Sequence, residues 1–327
     1  MVPGVTDAAV SDDDFADAVA AAVRAPSLHN TQPWRFRRGS HGVEVRIDPE
    51  RLLPRADPTG WAGRIACGAA VLNMRLALAA REHPAEVRWQ PLGPDSGVMA
   101  ILTPGRPRPA TPVELALHRA IPHRHSNRRP FFADPVPAET RQRLLDAVQD
   151  DEGWLVLVVD TASVNAVGDI AREASAELAR DDLYVAEVLG WARTDEAATD
   201  GVPSSAGGPS AEVQDLLPQR QFAERPRAPG RDFEAQPLVG VLGTLLDEPA
   251  DQLRAGHALQ RILLTATDAG LATSMVSQPI EVPSARARLV EAIGRHGTPQ
   301  MLLRIGYGQP GTAAGRRSPE DFIDADP

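Results

Sequence analysis

Two short loops hold the groups best able to grip or polarise a small ligand. PSLHNTQPW (26–34) places a hydroxyl, an imidazole and two side-chain amides between Pro26 and the indole of Trp34. RHSNRRPF (124–131) sets Arg124, His125, Ser126, Arg128 and Arg129 almost side by side. A guanidinium is a planar fork of donors that meets two oxygens of an oxyanion at once, and a nearby hydroxyl adds a further contact. The second loop therefore suits a phosphate. On composition alone, a solvated basic loop accounts for it equally well.

Other chemistries find less support. His118, His123 and His125 are close in the chain, but no Asp, Glu or Cys joins them at a metal-ligand spacing, so capping or packing roles suit them better. No metal is expected. Ser/His/Asp hydrolysis lacks its G-x-S-x-G nucleophile elbow. Gly306-Tyr307-Gly308-Gln309-Pro310-Gly311 satisfies G-x-G-x-x-G after an apolar run, yet Pro310 interrupts the helix entry that a dinucleotide fingerprint requires. The chain after Gly311 is also too short for the helix, second strand and ribose-binding acid, so a plain turn explains these glycines.

The 327-residue chain has a net charge of −10, with 44 acidic residues against 34 basic ones, all of them arginine. Such a chain lacks the broad positive field that non-specific binding to nucleic acid or an anionic membrane needs. Its apolar runs fall short of the roughly 20 residues of a membrane helix. Cys67 is the single cysteine, which excludes an intrachain disulfide, and the acidic stretch after Met1 has no basic-then-apolar leader. A cytoplasmic protein is expected.

Periodicity supplies the elements that must carry the loops. Asp12–Arg24, with Phe15, Val19 and Val23 four apart, predicts an amphipathic helix that Pro26 stops. Alternation predicts strands at 43–48, 86–92 and 97–103, with a long buried helix over 63–81. After the Pro-rich stretch 105–112, helices are predicted at 113–121, 138–148 and 162–193, the last as one helix or a pair. A buried strand is predicted at 153–160. From 195 to 236 the chain is rich in Gly, Pro, Ala, Asp and Arg, as in a disordered excursion or a functional lid, of which the lid is favoured. Apolar chain then returns at 238–246, with helices over 250–270 and 282–296 and a strand over 301–308. The two long helices overlay at an offset of 187, matching Leu72, Asn73, Leu76 and Ala79 to Leu259, Gln260, Leu263 and Ala266. This pattern suggests a duplicated α+β unit with its connector near 104–112.

PSLHNTQPW resembles the P-S-x-x-N-x-Q-P-W segment of the FMN-dependent nitroreductase family. RHSNRRPF, followed by DPVP and a helix, resembles that family's R-x-S-x-R-x-F opening. GHALQRILLTATDAGLATSMVSQP (256–279) and MLLRIGYG (301–308) are similar to its central helix, the Gly-Leu stretch beside the flavin, and its closing strand. In a typical member the R-x-S loop comes first, and each flavin site takes P-S-x-x-N from a partner subunit. Here the order is reversed, as in the mycobacterial Acg-type branch. The resemblance implies an α+β, nitroreductase-like fold of two fused halves, 1–104 and 105–327, with 195–236 as a lid and one FMN between the halves. Such a pseudo-dimer would be monomeric or would pair again as a homodimer.

Carried over residue by residue, the resemblance places Arg124, Ser126 and Arg304 on the FMN phosphate, with His125 beside them. Arg128 falls near flavin N1 and O2. Pro26, Ser27, Leu28 and Asn30 fall against the isoalloxazine and ribityl chain. Ser277 and Gln278 would present backbone N–H groups toward N5 and O4. Ser277 stands where the family commonly has an acidic residue, and Leu302 where many members have Lys. Gln32 and Trp34 would brace their loop, while Arg129, Arg316 and Arg317 are read as surface residues. No catalytic side chain is expected, because the flavin carries the chemistry. The implied activity is ping-pong hydride transfer from NAD(P)H through flavin N5 to an acceptor. The alternative is an FMN-sequestering protein whose closed lid leaves little reductase activity.

Overall fold

Ser11 starts the first helix. Its hydroxyl accepts from the Asp14 N–H at 3.1 Å, and Asp12, Asp13 and Asp14 complement the positive end of the helix dipole. In the computed structural model, which describes residues 10–39, 42–149, 153–212, 215–227, 233–234 and 236–324, this helix is α1 (Asp12–Ala22). Buried Trp34 and Phe36 then alternate with the arginines of β1 (Trp34–Gly39), which pairs antiparallel with β2 (Gly42–Ile47). The helix α2 (Trp61–Ala80) leads to β3 (Ala85–Trp89) and β4 (Val98–Pro104). These strands form an antiparallel sheet in the order β1-β2-β4-β3.

The second part repeats that order with longer connections. A capping box of Thr111 and Glu114 opens α3 (Pro112–Ala120); α4 (Ala138–Asp146) and β5 (Gly153–Val158) follow. The predicted helical stretch is a pair, α5 (Thr161–Leu178) and α6 (Asp182–Gly190). Two-residue strands β6 (Ala192–Arg193) and β7 (Val202–Pro203) pair parallel in the segment that returns to β8 (Leu238–Thr244). Then come α7 (Pro249–Asp268), β9 (Ala272–Val276), α8 (Gln278–Glu281), α9 (Pro283–Ile293) and β10 (Thr298–Gly306). The second sheet is also antiparallel, in the order β5-β8-β10-β9. Counted within each sheet, both read first, second, fourth, third. The mixture of helices and antiparallel sheets is the expected α+β class.

Helices α2 and α7, each 20 residues long, cross at the centre. A Cβ on Gly68 would lie 1.9 Å from the Leu253 carbonyl oxygen, and one on Gly256 would lie 2.0 Å from that of Ile65. Backbone therefore meets backbone, and hydrogen suffices as the side chain on both sides. Gln260 Nε2 donates to Asn73 Oδ1 at 2.8 Å, and Asn73 Nδ2 donates to the Ala21 carbonyl at 2.9 Å, so the buried amides tie α7, α2 and α1 together. The reciprocal glycine contacts relate Ile65 to Leu253 and Gly68 to Gly256, 188 positions apart. The Asn73–Gln260 pair is separated by 187, the offset of the sequence overlay. α2 has the length and composition of a membrane-spanning helix, but 89% of its apolar window is buried within the protein.

Four strands escaped the sequence pattern, the two-residue β6 and β7 among them. β1 contains three arginines, which lower its apolarity, and β9 (ATSMV) is short and follows directly on a long helix. Past β10 the described residues form no α-helix, only a 3-10 turn at Pro319–Phe322, consistent with a turn at Gly306–Gly311 rather than a dinucleotide fingerprint. The tail then returns to the first sheet. Phe322 is fully buried against Trp34, Ile323 bridges Phe36, and Asp324 N donates to the Phe36 carbonyl at 2.8 Å.

In an open helix, replacing Gly with Ala stabilises by about 1 kcal/mol. At this crossing the sign reverses. Gly68→Ala and Gly256→Ala should each destabilise by about 3 kcal/mol, because a backbone carbonyl cannot swing aside. Urea unfolding of each variant measures this, with an exposed helical Gly190→Ala as the control expected to be neutral or stabilising.

Candidate functional site

The 26–34 loop is held in an unusual backbone conformation. His29, Asn30 and Gln32 have φ of 53°, 59° and 54°, and account for three of the five non-glycine residues with positive φ among those described. Side chains disfavour that region, and such strain gathers where surrounding structure over-determines a functional loop. Here the surroundings do so. Ser27 Oγ accepts from the Gln32 N–H at 2.9 Å. Gln32 Nε2 donates to the carbonyls of Asn30 (3.2 Å) and Thr199 (2.9 Å), while its Oε1 accepts from the Arg317 N–H at 3.2 Å. Asn30 Nδ2 donates to Gly201 O and Gly315 O, both at 3.0 Å. Trp34 lies fully in the core.

The 124–131 loop lies along β9. Ser126 bridges Thr273, and Asn127 N donates to the Thr273 carbonyl at 2.8 Å. Arg304, on β10, supports this loop from beneath. Its Nη2 donates to the carbonyls of Asn127 (3.1 Å) and Arg129 (2.6 Å), and Nη1 pairs with Glu234 at 3.1 Å. The guanidinium stacks 3.8 Å from the Phe131 ring centre. Arg304 is only 1% exposed and lines neither cleft described below. Its terminal donors serve the backbone and an internal carboxylate, its Nε has no partner, and it shapes the 124–131 loop.

Between the two loops runs a groove made of two adjoining clefts, which share Pro26, Ser27, Arg128 and Met275. Open solvent at their mouths included, they span about 630 Å³ and about 670 Å³ respectively. The second cleft is basic. Arg24, Arg124, Arg128 and Arg316 line it with His125, Ser126 and Asn30, and no Asp or Glu appears among its lining residues. Arg124 is buried, donates from Nη2 to the Arg24 carbonyl at 3.3 Å, and leaves Nε without a partner. Burial, then the neighbouring Arg316 cation, pushes its pKa down to about 9. Arg316 is pushed to about 10 by burial and then by Arg24, and donates only to the carbonyls of Val23, Ala25, Ala314 and Gly315. Arg124 is buried, Arg316 half-buried and Arg24 exposed, and like charges drawn partly from water without a carboxylate are costly unless an anion joins them.

The first cleft is apolar, walled by Trp61, Ile65, Leu259, Met275 and Met301, with Leu28, Ser277 and Gln278 at its edge. Over it lies part of the Gly/Pro-rich segment, whose residues 213–214, 228–232 and 235 are outside those described. Arg220 and Phe222 line the apolar cleft, and Val202 and Ala206 the basic one. The segment is anchored by a hydrophobic cluster with Leu53, Ala56, Tyr184 and Val188. Arg128, at the junction, donates to the Ala206 carbonyl at 3.1 Å and stacks 5.3 Å from Phe222. Burial and then Arg220 push Arg128 down to about 10.

Ten of the eleven residues marked from the sequence line this groove, Arg304 being the exception. Sequence reasoning missed Arg24, Arg316, His29, Arg220 and Phe222. Arg316, expected at the surface, arrives because the tail doubles back, and no local pattern announces that. His118 and His123 contribute nothing here, and among the described residues no three His, Cys, Asp or Glu side chains are grouped to hold a metal.

The sequence is similar to those of known proteins. The Nitroreductase family profile matches residues 121–307. The chain is 33% identical over 294 residues to "Putative NAD(P)H nitroreductase Rv3131" of Mycobacterium tuberculosis, covering 88% of this chain and 83% of that protein. It is 30% identical over 311 residues to "Putative NAD(P)H nitroreductase acg" of the same organism, covering 92% and 91%. Among solved structures, a nitroreductase with bound FMN from Desulfitobacterium hafniense DCB-2 aligns at 14% identity and a TM-score of 0.40, over 65% of this chain and 98% of that one. With a profile matched over more than half its length and relatives a third identical across most of theirs, the chain belongs to the nitroreductase family.

Proposed function

We propose that this chain is an FMN-binding oxidoreductase that uses NAD(P)H, with one cofactor held in the groove between an N-terminal half, 1–104, and a C-terminal half, 105–327. The observation that carries this is the adjoining of an acid-free arginine cleft and an apolar cleft, since FMN is a phosphate joined by a polar chain to a planar ring. The unpartnered Nε of buried Arg124 fits an anion there. Arg124 and Arg316, with Ser126, His125 and Arg24, would hold the phosphate. Pro26, Ser27 and Asn30 lie along the middle of the groove, and Leu28, Ser277 and Gln278 at the ring end. Arg128, between the two ends, favours electron density accumulating beside it. Bound FMN would supply hydride acceptance and donation at N5, so the protein's part is to orient, desolvate and gate. The shared strand order of the two sheets and the reciprocal α2–α7 contacts support duplication of one ancestral unit.

A second function is favoured by one specific feature. Arg220 and Phe222 reach over the apolar cleft from the 195–236 segment, as they would in a protein that sequesters its flavin. Stopped-flow absorbance separates the two. A reductase should be bleached by NADPH or NADH within seconds. Bleaching by dithionite alone, with neither nicotinamide nucleotide effective, would establish sequestration instead.

The phosphate assignment has its own signature. Arg124→Ala and Arg316→Ala should each weaken FMN binding by about 1.5–3 kcal/mol. The melting temperature of the apoprotein should stay level or rise, because a buried cation beside like charge has been removed. Fluorescence titration of FMN into apoprotein and thermal melts measure both. Arg304→Met, by contrast, should lower stability, since it strips partners from the 124–131 loop and Glu234.

A further inference from the structure

A third cleft shares no lining residue with the groove. It is formed by the turn that leads into α4, the N-terminal end of α5, the chain entering β8 and the last residues of β10. Open solvent at its mouth included, it spans about 1160 Å³, more than either cleft of the groove. Phe132, Val136, Val158, Val164 and Ile305 give it an apolar wall. Thr161, Asn165 and Gln236 add uncharged polar groups, and Arg141, Asp134 and Glu234 add charge.

Among the described residues Arg141 is the only cation lining this cleft. It is half-buried. Its Nε is closed off from water with no partner, and no hydrogen bond or ion pair engages its Nη nitrogens, which stay open to solvent. In a chain with 44 acidic residues against 34 basic ones, that is a conspicuous vacancy. Arg143, on the same helix, pairs with Asp268 at 2.6 Å. The acids around Arg141 are engaged elsewhere or exposed. Glu234 accepts from Arg304 and from the Phe131 N–H, and Asp160 caps α5 by accepting from the Ser163 N–H at 2.8 Å. Asp134 faces water. A guanidinium drawn partly from water without a counter-charge costs stability that a bound anion would recover.

We propose that this cleft binds a small carboxylate with an apolar body, an aryl- or alkyl-alkanoate, with its charged end on Arg141 and its body against Phe132, Val136, Val158 and Val164. The inference goes beyond the flavoprotein function and does not depend on it. Parallel N–H groups of a guanidinium match the two oxygens of a carboxylate. Thr161 and Asn165, one turn apart at the start of the 18-residue α5, lie at the positive end of its dipole. A single cation near Asp134 and Glu234 suits one negative charge better than two, which favours a carboxylate over a phosphate monoester. The apolar wall favours an acid with a hydrocarbon body over a bare one.

Phenylacetate tests this in calorimetric titrations of the full chain, with phenethyl alcohol and acetate as partial mimics. The acid should bind about tenfold more tightly than the alcohol, which lacks the charge, or acetate, which lacks the ring. Arg141→Met should bring the acid down to the level of the alcohol, and Arg141→Lys should restore part of the difference. Both variants should melt no lower than wild type, since the guanidinium supports no described neighbour. The Arg141-dependent binding should survive Arg124→Ala, because the basic cleft is a separate site. In ¹⁵N-arginine-labelled wild type, the Nε resonance missing from the Arg141→Met spectrum should move with phenylacetate and stay put with the alcohol. No saturable binding of the acid, or equal binding of acid and alcohol, would overturn the proposal, as would binding lost in Arg124→Ala and kept in Arg141→Met. None of these measurements needs FMN, so a chain that takes up no flavin would overturn the flavoprotein function and leave this site standing.

Discussion

Everything in this molecule is referred to the crossing of α2 and α7. At Gly68 and Gly256 the two helices touch through their backbones, and Asn73 and Gln260 lock the same interface with a buried hydrogen bond. The first sheet packs on one side of the pair and the second on the other, in separate clusters bridged by the helices. The groove inherits its width from that distance, since Trp61 and Ile65 of α2 face Leu259 of α7 across it. A contact with no side chain to adjust fixes the spacing more firmly than interdigitated leucines would, because repacking has no freedom there.

Against that frame, the arginines sort by their partners. Arg220 has Glu281, Arg304 has Glu234, and Arg286 has Asp247. Arg124 and Arg316 have carbonyl oxygens and each other's repulsion. An excess of ten negative charges over the chain makes this local choice more telling. Acids are plentiful elsewhere, and their absence from the lining of the basic cleft sets it apart from a salt-bridge network of similar composition.

Much of this was legible in the sequence because it is local. The long apolar helices, the capping signals and both site loops are written in runs of ten to twenty residues, and the structure puts those loops across one groove. What stayed hidden depends on the chain returning from a distance. Arg316 comes into the basic cleft only because Phe322 and Ile323 close onto β1, nearly 290 residues earlier in the chain. Arg304 occupies a motif position that suggests a ligand contact, yet Phe131, Glu234 and two carbonyls claim its guanidinium first. Residue type and spacing give the same signal for both outcomes, and only the partners tell them apart. The covering segment misled in another way. Its Gly and Pro content reads as poor in anchors, but Val202, Ala206 and Phe222 are enough to seat it because Tyr184 and Val188 of α6 complete their cluster.

The covering segment is tied to the frame through one arginine. Arg220 joins His29 in the strained loop, Ser277 at the cleft edge, and Glu281 behind them. To move away from the apolar cleft, the guanidinium must leave a buried carboxylate that Tyr184 also holds, and a buried charge stripped of its partner is among the least favourable states a protein can adopt.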